Sequence, residues 1–163
     1  MIRLALVATL SVAGLPAAAL SCREPDPIRA FLSAQAAPET YRILVGTIEF
    51  DAGQFGPTFQ NAPKANPVTV AARFSGQGLG LRGLVPVSDQ TINLVQDCAG
   101  PWCGAIEPNG PYLMFVKQGT QGAELAIDPC GSNVFAAPDP ATIDALTECL
   151  AGGDCQTSDR RGN

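Results

Sequence analysis

The sequence predicts a mainly β domain, stapled by disulfides and finished by one C-terminal helix. Six cysteines stand in a chain of 163 residues that opens with an apolar leader, and an even count in an exported chain points to cross-links. Short runs of β-branched and aromatic residues are separated by glycine, proline and asparagine, the punctuation of strands and turns. Helical periodicity is clearest near the end. Asp139 can cap the helix, Pro140 suits its first position, Ile143, Leu146 and Leu150 form an apolar stripe, and Gly152 and Gly153 stop it.

Met1 to Ser21 reads as a signal peptide, 1–21: Arg3 precedes the apolar run Leu4 to Leu20, which Ser11, Gly14 and Pro16 interrupt before a small-residue stretch. The run is short for a membrane span and lacks a charged stop-transfer flank. Ala19 and Ser21 suit cleavage before Cys22, with cleavage after Ala19 as a second site. A bacterial lipoprotein signal would also leave Cys22 first, although it favours a larger aliphatic residue than Ala19. The expected product is a periplasmic or secreted single domain over 22–155, with a polar disordered tail at 156–163. The alternative is a chain lipid-anchored at Cys22. Roughly 140 residues remain after the leader, enough for one core. The formal charge is −5, and the one basic run beyond the leader is Arg160-Arg161. Nucleic acid and anionic membrane surfaces are therefore poor partners.

Cys22 to Glu39 carries Pro25, Pro27 and Pro38 around Ile28, Phe31 and Leu32, which suggests a tethered arm with one or two helical turns. Tyr41 to Phe50 follows as a strand with apolar residues on both faces, and Gly46 within it marks a bulge or bend. Asp51 to Pro67 is rich in proline, glycine and asparagine and reads as a long loop. Its Phe55 and Phe59 either present a binding surface or fold back over the core. Val68 to Ser75 alternates, with Val68, Val70, Ala72 and Phe74 inward and Thr69, Arg73 and Ser75 outward. Gln77 to Val87, with Gly78, Gly80 and Gly83, reads as one kinked strand bending around a small barrel. Thr91 to Gln96 is a further strand. Tyr112 to Lys117 and Ala123 to Asp128 flank the glycine-containing connection Gln118 to Gly122 of a hairpin.

Six cysteines allow fifteen pairings, and spacing alone does not choose among them. Cys98 and Cys103 bracket the turn-forming Ala-Gly-Pro-Trp, and Gly152-Gly153 lets Cys155 fold back on Cys149. Cys22 would then pair with Cys130. Histidine is absent, which removes the usual general base and the commonest zinc ligand. A zinc site would need thiolates, such as Cys98, Cys103, Cys149 and Cys155, and an oxidising compartment disfavours it. Trp102-Cys103-Gly104 has the opening of a thioredoxin-type site, but Ile106 stands where the resolving cysteine belongs, and no neighbouring cation or helix start would lower the thiol pKa. A structural disulfide beside a half-buried Trp102 is the plainer reading. No P-loop, Gly-x-Ser-x-Gly elbow or paired acidic motif is present. Glu107, Glu124 and Asp128 are expected to be solvated surface groups.

A cysteine near the mature start, the strand Ile43-Leu44-Val45-Gly46-Thr47, the strand Tyr112-Leu113-Met114-Phe115-Val116, then Pro129-Cys130-Gly131 and a terminal helix together resemble the netrin-like domain of tissue inhibitors of metalloproteinases. The resemblance implies a five-stranded oligonucleotide/oligosaccharide-binding (OB-like) Greek-key barrel with peripheral helices. It also implies that the amino group and carbonyl of Cys22 could grip a protease zinc. The family places a second cysteine where this chain has Glu24, so one anchoring bridge is missing.

The functional expectation is a non-catalytic, monomeric binding module for an exported or envelope protein, with Phe55, Phe59 and Trp102 as binding residues and no cofactor or metal. Two alternatives stand beside it: a metalloprotease inhibitor acting through a free Cys22, and a thiol-disulfide oxidoreductase using Cys98 and Cys103.

Overall fold

The computed structural model describes residues 20–60 and 67–157. Residues 1–19 of the expected signal peptide, 61–66 of the long loop and 158–163 of the expected tail lie outside the described residues. In chain order the elements are α1 (Pro27–Ala36), β1 (Thr40–Glu49), β2 (Val68–Gly80), β3 (Gly83–Pro86), β4 (Gln90–Gln96), β5 (Cys98–Ala99), β6 (Trp102–Cys103), β7 (Tyr112–Gly119), β8 (Gly122–Ile127), β9 (Val134–Ala136) and α2 (Pro140–Leu150).

Five of the strands close on themselves. β1 pairs with β2, β2 with β4, β8 with β7 and β7 with β1, all antiparallel, while β4 and β8 run parallel. This is the expected OB-like barrel, with its C-terminal helix and three disulfides. Closure rests on β1, whose first seven residues pair with β7 while Leu44 to Glu49 pair with β2. Gly46 sits in the overlap. Instead of a bulge, the structure shows an unbroken register in which Gly46 faces Gly76. A Cβ on Gly46 would collide with the Ser75 carbonyl, and one on Gly76 with that of Val45. Both glycines permit a close approach of two backbones.

The barrel interior holds Leu44, Ile48, Val70, Ala72, Phe74, Ile92, Leu94, Met114, Val116 and Leu125. A second core lies outside the barrel, where α1 and α2 cover the other faces of β1 and β7 with Ile28, Phe31, Ile43, Leu113, Phe115, Phe135 and Leu146. Two-sided burial explains the apolar run Tyr112 to Val116, every residue of which is buried. β9, not foreseen in the sequence, pairs with the start of β7.

Two further sequence expectations change. The arm after Cys22 contains a helix of ten residues, longer than one or two turns. Pro27 occupies its first turn, where a missing N–H costs nothing, and Asp26 Oδ1 accepts from the N–H groups of Ile28 and Arg29 at 2.8 and 3.2 Å. Gln77 to Val87 is a hairpin, not one kinked strand. β2 runs on to Gly80, the chain reverses through Leu81 and Arg82, and Gly83 takes the left-handed φ of +103° that the return requires.

Candidate functional site

The strand directions gather the long connections at one end of the barrel. β1, β4 and β8 end there, and β2 and β7 begin there, so segments 50–60, 97–111 and 128–133 share a rim.

Gln96 anchors this rim. It continues the inward series of Ile92 and Leu94 and is 2% exposed. Its Nε2 donates to the carbonyls of Gly56 at 3.0 Å and Gly104 at 2.9 Å, and its Oε1 accepts from the Gly56 N–H at 3.0 Å. One side chain thus fastens both long connections to the barrel. A polar residue on an otherwise apolar face must find partners when buried; the sequence reading passed over Gln96, and its place in the inward series was the signal that could have found it.

Beyond Gln96, β5 and β6 form a small hairpin turned by Gly100, at φ +59°, with Cys98 and Cys103 facing one another and disulfide-bonded. Thr58 to Gln60 lies along the free edge of β6. The Cys103 N–H donates to the Thr58 carbonyl and the Gln60 N–H to the Pro101 carbonyl, each at 2.8 Å. Phe59 and Trp102 then stand directly opposite, with ring centroids 4.9 Å apart and planes inclined at 70°. Trp102 is half-buried, whereas Phe59 is 50% exposed. Gln60 Nε2 reaches Cys103 Sγ at 3.3 Å and ties the strip to the disulfide. Phe55 goes elsewhere: it packs edge-on to Phe50 at 5.5 Å and covers the barrel core. Of the three expected binding residues, two come together at the surface.

The other two disulfides join Cys22 to Cys130 and Cys149 to Cys155, as expected. Asp128, read from the sequence as a solvated surface group, instead builds the turn that presents Cys130. Its carboxylate accepts from the N–H groups of Cys130 and Ser132, both at 2.9 Å, and from the Ser132 hydroxyl at 3.1 Å. Glu124 is half-buried and pairs with Lys117 at 2.8 Å on the neighbouring strand, a contact that raises the Lys117 pKa. Burial, and then the negative charge of Asp128, push the Asp97 carboxyl up, against a lowering by Lys117.

Cys22 itself is exposed at the start of the arm, beside a cleft of about 390 Å³ that Arg23, Asp26, Arg29, Tyr41 and Ser132 help to line. Arg29 Nη1 donates to the Glu24 carbonyl at 3.0 Å and holds the segment between Cys22 and α1. No protein-family model, curated protein or solved structure matches this chain.

Proposed function

We propose that this chain is an exported, non-catalytic module that binds a protein of the same compartment through the Phe59–Trp102 face. One observation carries this reading: a large, half-exposed aromatic ring is already immobilised against Trp102 by two backbone hydrogen bonds on a disulfide-closed hairpin. A rigid aromatic anchor loses little conformational freedom on binding, and such residues dominate interface energies. Three disulfides favour an oxidising compartment. Among the described residues no helix is long and apolar enough to cross a membrane. The soluble form is preferred to the lipid-anchored one because the Cys22 sulfur is bonded to Cys130 and so is not available for a thioether to lipid.

The test places a photoreactive amino acid at position 59 in the exporting cell. Irradiation should give one adduct of defined mass, lost with Trp102→Ala and absent when the label sits at position 121, in the turn at the opposite end of the barrel. No adduct from position 59 would falsify the assignment.

Metalloprotease inhibition is a second reading, favoured by one contact. Where the netrin-like inhibitors have a second bridge, the Arg29–Glu24 hydrogen bond steadies the residues after Cys22. Adding one alanine before Cys22 should abolish inhibition of a zinc protease panel; equal potency in the extended protein excludes the mechanism.

A further inference from the structure

We propose that the outer edge of Thr58 to Gln60 is a docking edge for an extended peptide of the partner protein. The peptide pairs with the Phe59 backbone and lays an apolar side chain against the Phe59–Trp102 rings; this inference rests on the binding-module reading above. In an antiparallel pair, opposed residues alternate between those that exchange both backbone hydrogen bonds and those whose N–H and C=O point away from each other. Phe59 and Trp102 are of the second kind, because the bonds joining their segments come from Cys103 to Thr58 and from Gln60 to Pro101. Trp102 turns its backbone groups toward β5, where Ala99 stands opposite. Phe59 turns its own outward, and among the described residues neither its N–H nor its C=O has a hydrogen-bond partner.

An unpaired donor and acceptor beside a half-exposed ring meet both needs of strand addition, main-chain pairing for affinity and a side-chain surface for selection. The edge is short. Pro57 has no N–H to offer, so pairing centres on one peptide residue opposite Phe59. Charge narrows the occupant further: among the described residues of the rim, segments 50–60, 97–111 and 128–133 carry Asp51, Asp97, Glu107 and Asp128 and no lysine or arginine. The complementary peptide has an apolar centre flanked by Lys or Arg.

The probe is a library of random linear heptapeptides on phage, panned against the oxidised mature protein, with binding of the synthesised winners read by fluorescence of Trp102, the chain's one tryptophan. Winners should share the basic–apolar–basic pattern and slow hydrogen exchange at the Phe59 amide. N-methylation of the central peptide residue should weaken binding about tenfold, whereas N-methylation of either neighbour, whose N–H points away, should change it less than about threefold. Losses that do not alternate overturn strand pairing yet leave the aromatic face as a binding surface. Winners that bind a Phe59→Ala/Trp102→Ala protein equally well by titration calorimetry, or a Phe59 amide already protected in the free protein, overturn the inference. Failure to select any peptide overturns it as well, while the cross-link from position 59 still reports separately on the proposed function.

Discussion

Two aromatic pairs share one geometry and have opposite surroundings. Phe115 and Phe135 meet edge to face at 6.0 Å beneath the two helices, 1% and 8% exposed. Phe59 and Trp102 meet edge to face at 4.9 Å on the rim, with half of Phe59 in water. The first pair is part of the fold's apolar burial. The second is held in place by hydrogen bonds and a disulfide, belongs to neither core, and leaves half of Phe59 exposed.

The comparison breaks most visibly at the covered pair. Phe115→Ala should cost about 3–5 kcal/mol of stability, as for other fully buried aromatic truncations, read as a lower denaturant midpoint. If the loss is under about 1 kcal/mol, the helix-covered face is not the structural core.

Gln96→Ala comes next, at roughly 1–3 kcal/mol, because it strands the buried carbonyl of Gly104 and the part-buried N–H and carbonyl of Gly56. Its distinguishing mark is local. Trp102 emission should shift to the red and exchange at Gly56 should quicken while the barrel amides stay protected; an unchanged rim would mean that Gln96 is not what seats the two connections.

A smaller effect concerns the cap of α2. The Thr142 N–H, bonded at 2.6 Å, and then the Thr142 hydroxyl hold the Asp139 carboxyl below the ordinary carboxylate range. Its stabilisation is therefore fully present above the unfolded carboxylate pKa and fades as pH falls through the lower folded value. Asp139→Asn should flatten that acid limb of the stability profile without altering the rim; an unaltered limb would show that the cap contributes no pH dependence.

Phe59→Ala should have the least influence on folding, within about 1 kcal/mol of the parent in thermal or denaturant unfolding, and the greatest on binding of the selected peptides. A larger loss of stability would place Phe59 in the structural class with Phe115 and erase the contrast.

Much of this was legible along the chain. The alternation of Val70, Ala72 and Phe74, the strand Tyr112 to Lys117, the capped helix after Asp139 and the two short-range pairings Cys98–Cys103 and Cys149–Cys155 follow from periodicity, propensity and turn chemistry, which act over a few residues. The hairpin at Gly80–Gly83 and the unbulged Gly46 were harder to read, because a glycine in a strand looks the same whether it turns, bends or lets two backbones touch. Gln96 carried a signal, a polar residue on an apolar face, but not the identity of its partners. For Asp128 the local Asx-turn with Cys130 and Ser132 was available to sequence reasoning.

The main strands, the C-terminal helix, the two short-range disulfides and the acidic balance were set by the residues themselves, since each depends on neighbours close in sequence or on composition alone. The rim was not. Bringing Phe59 beside Trp102, turning Phe55 inward and leaving the Phe59 backbone unpaired required β1, β4 and β8 to end at the same level. That arrangement arises only when the sheet closes, because closure joins positions about forty residues apart that no local rule relates.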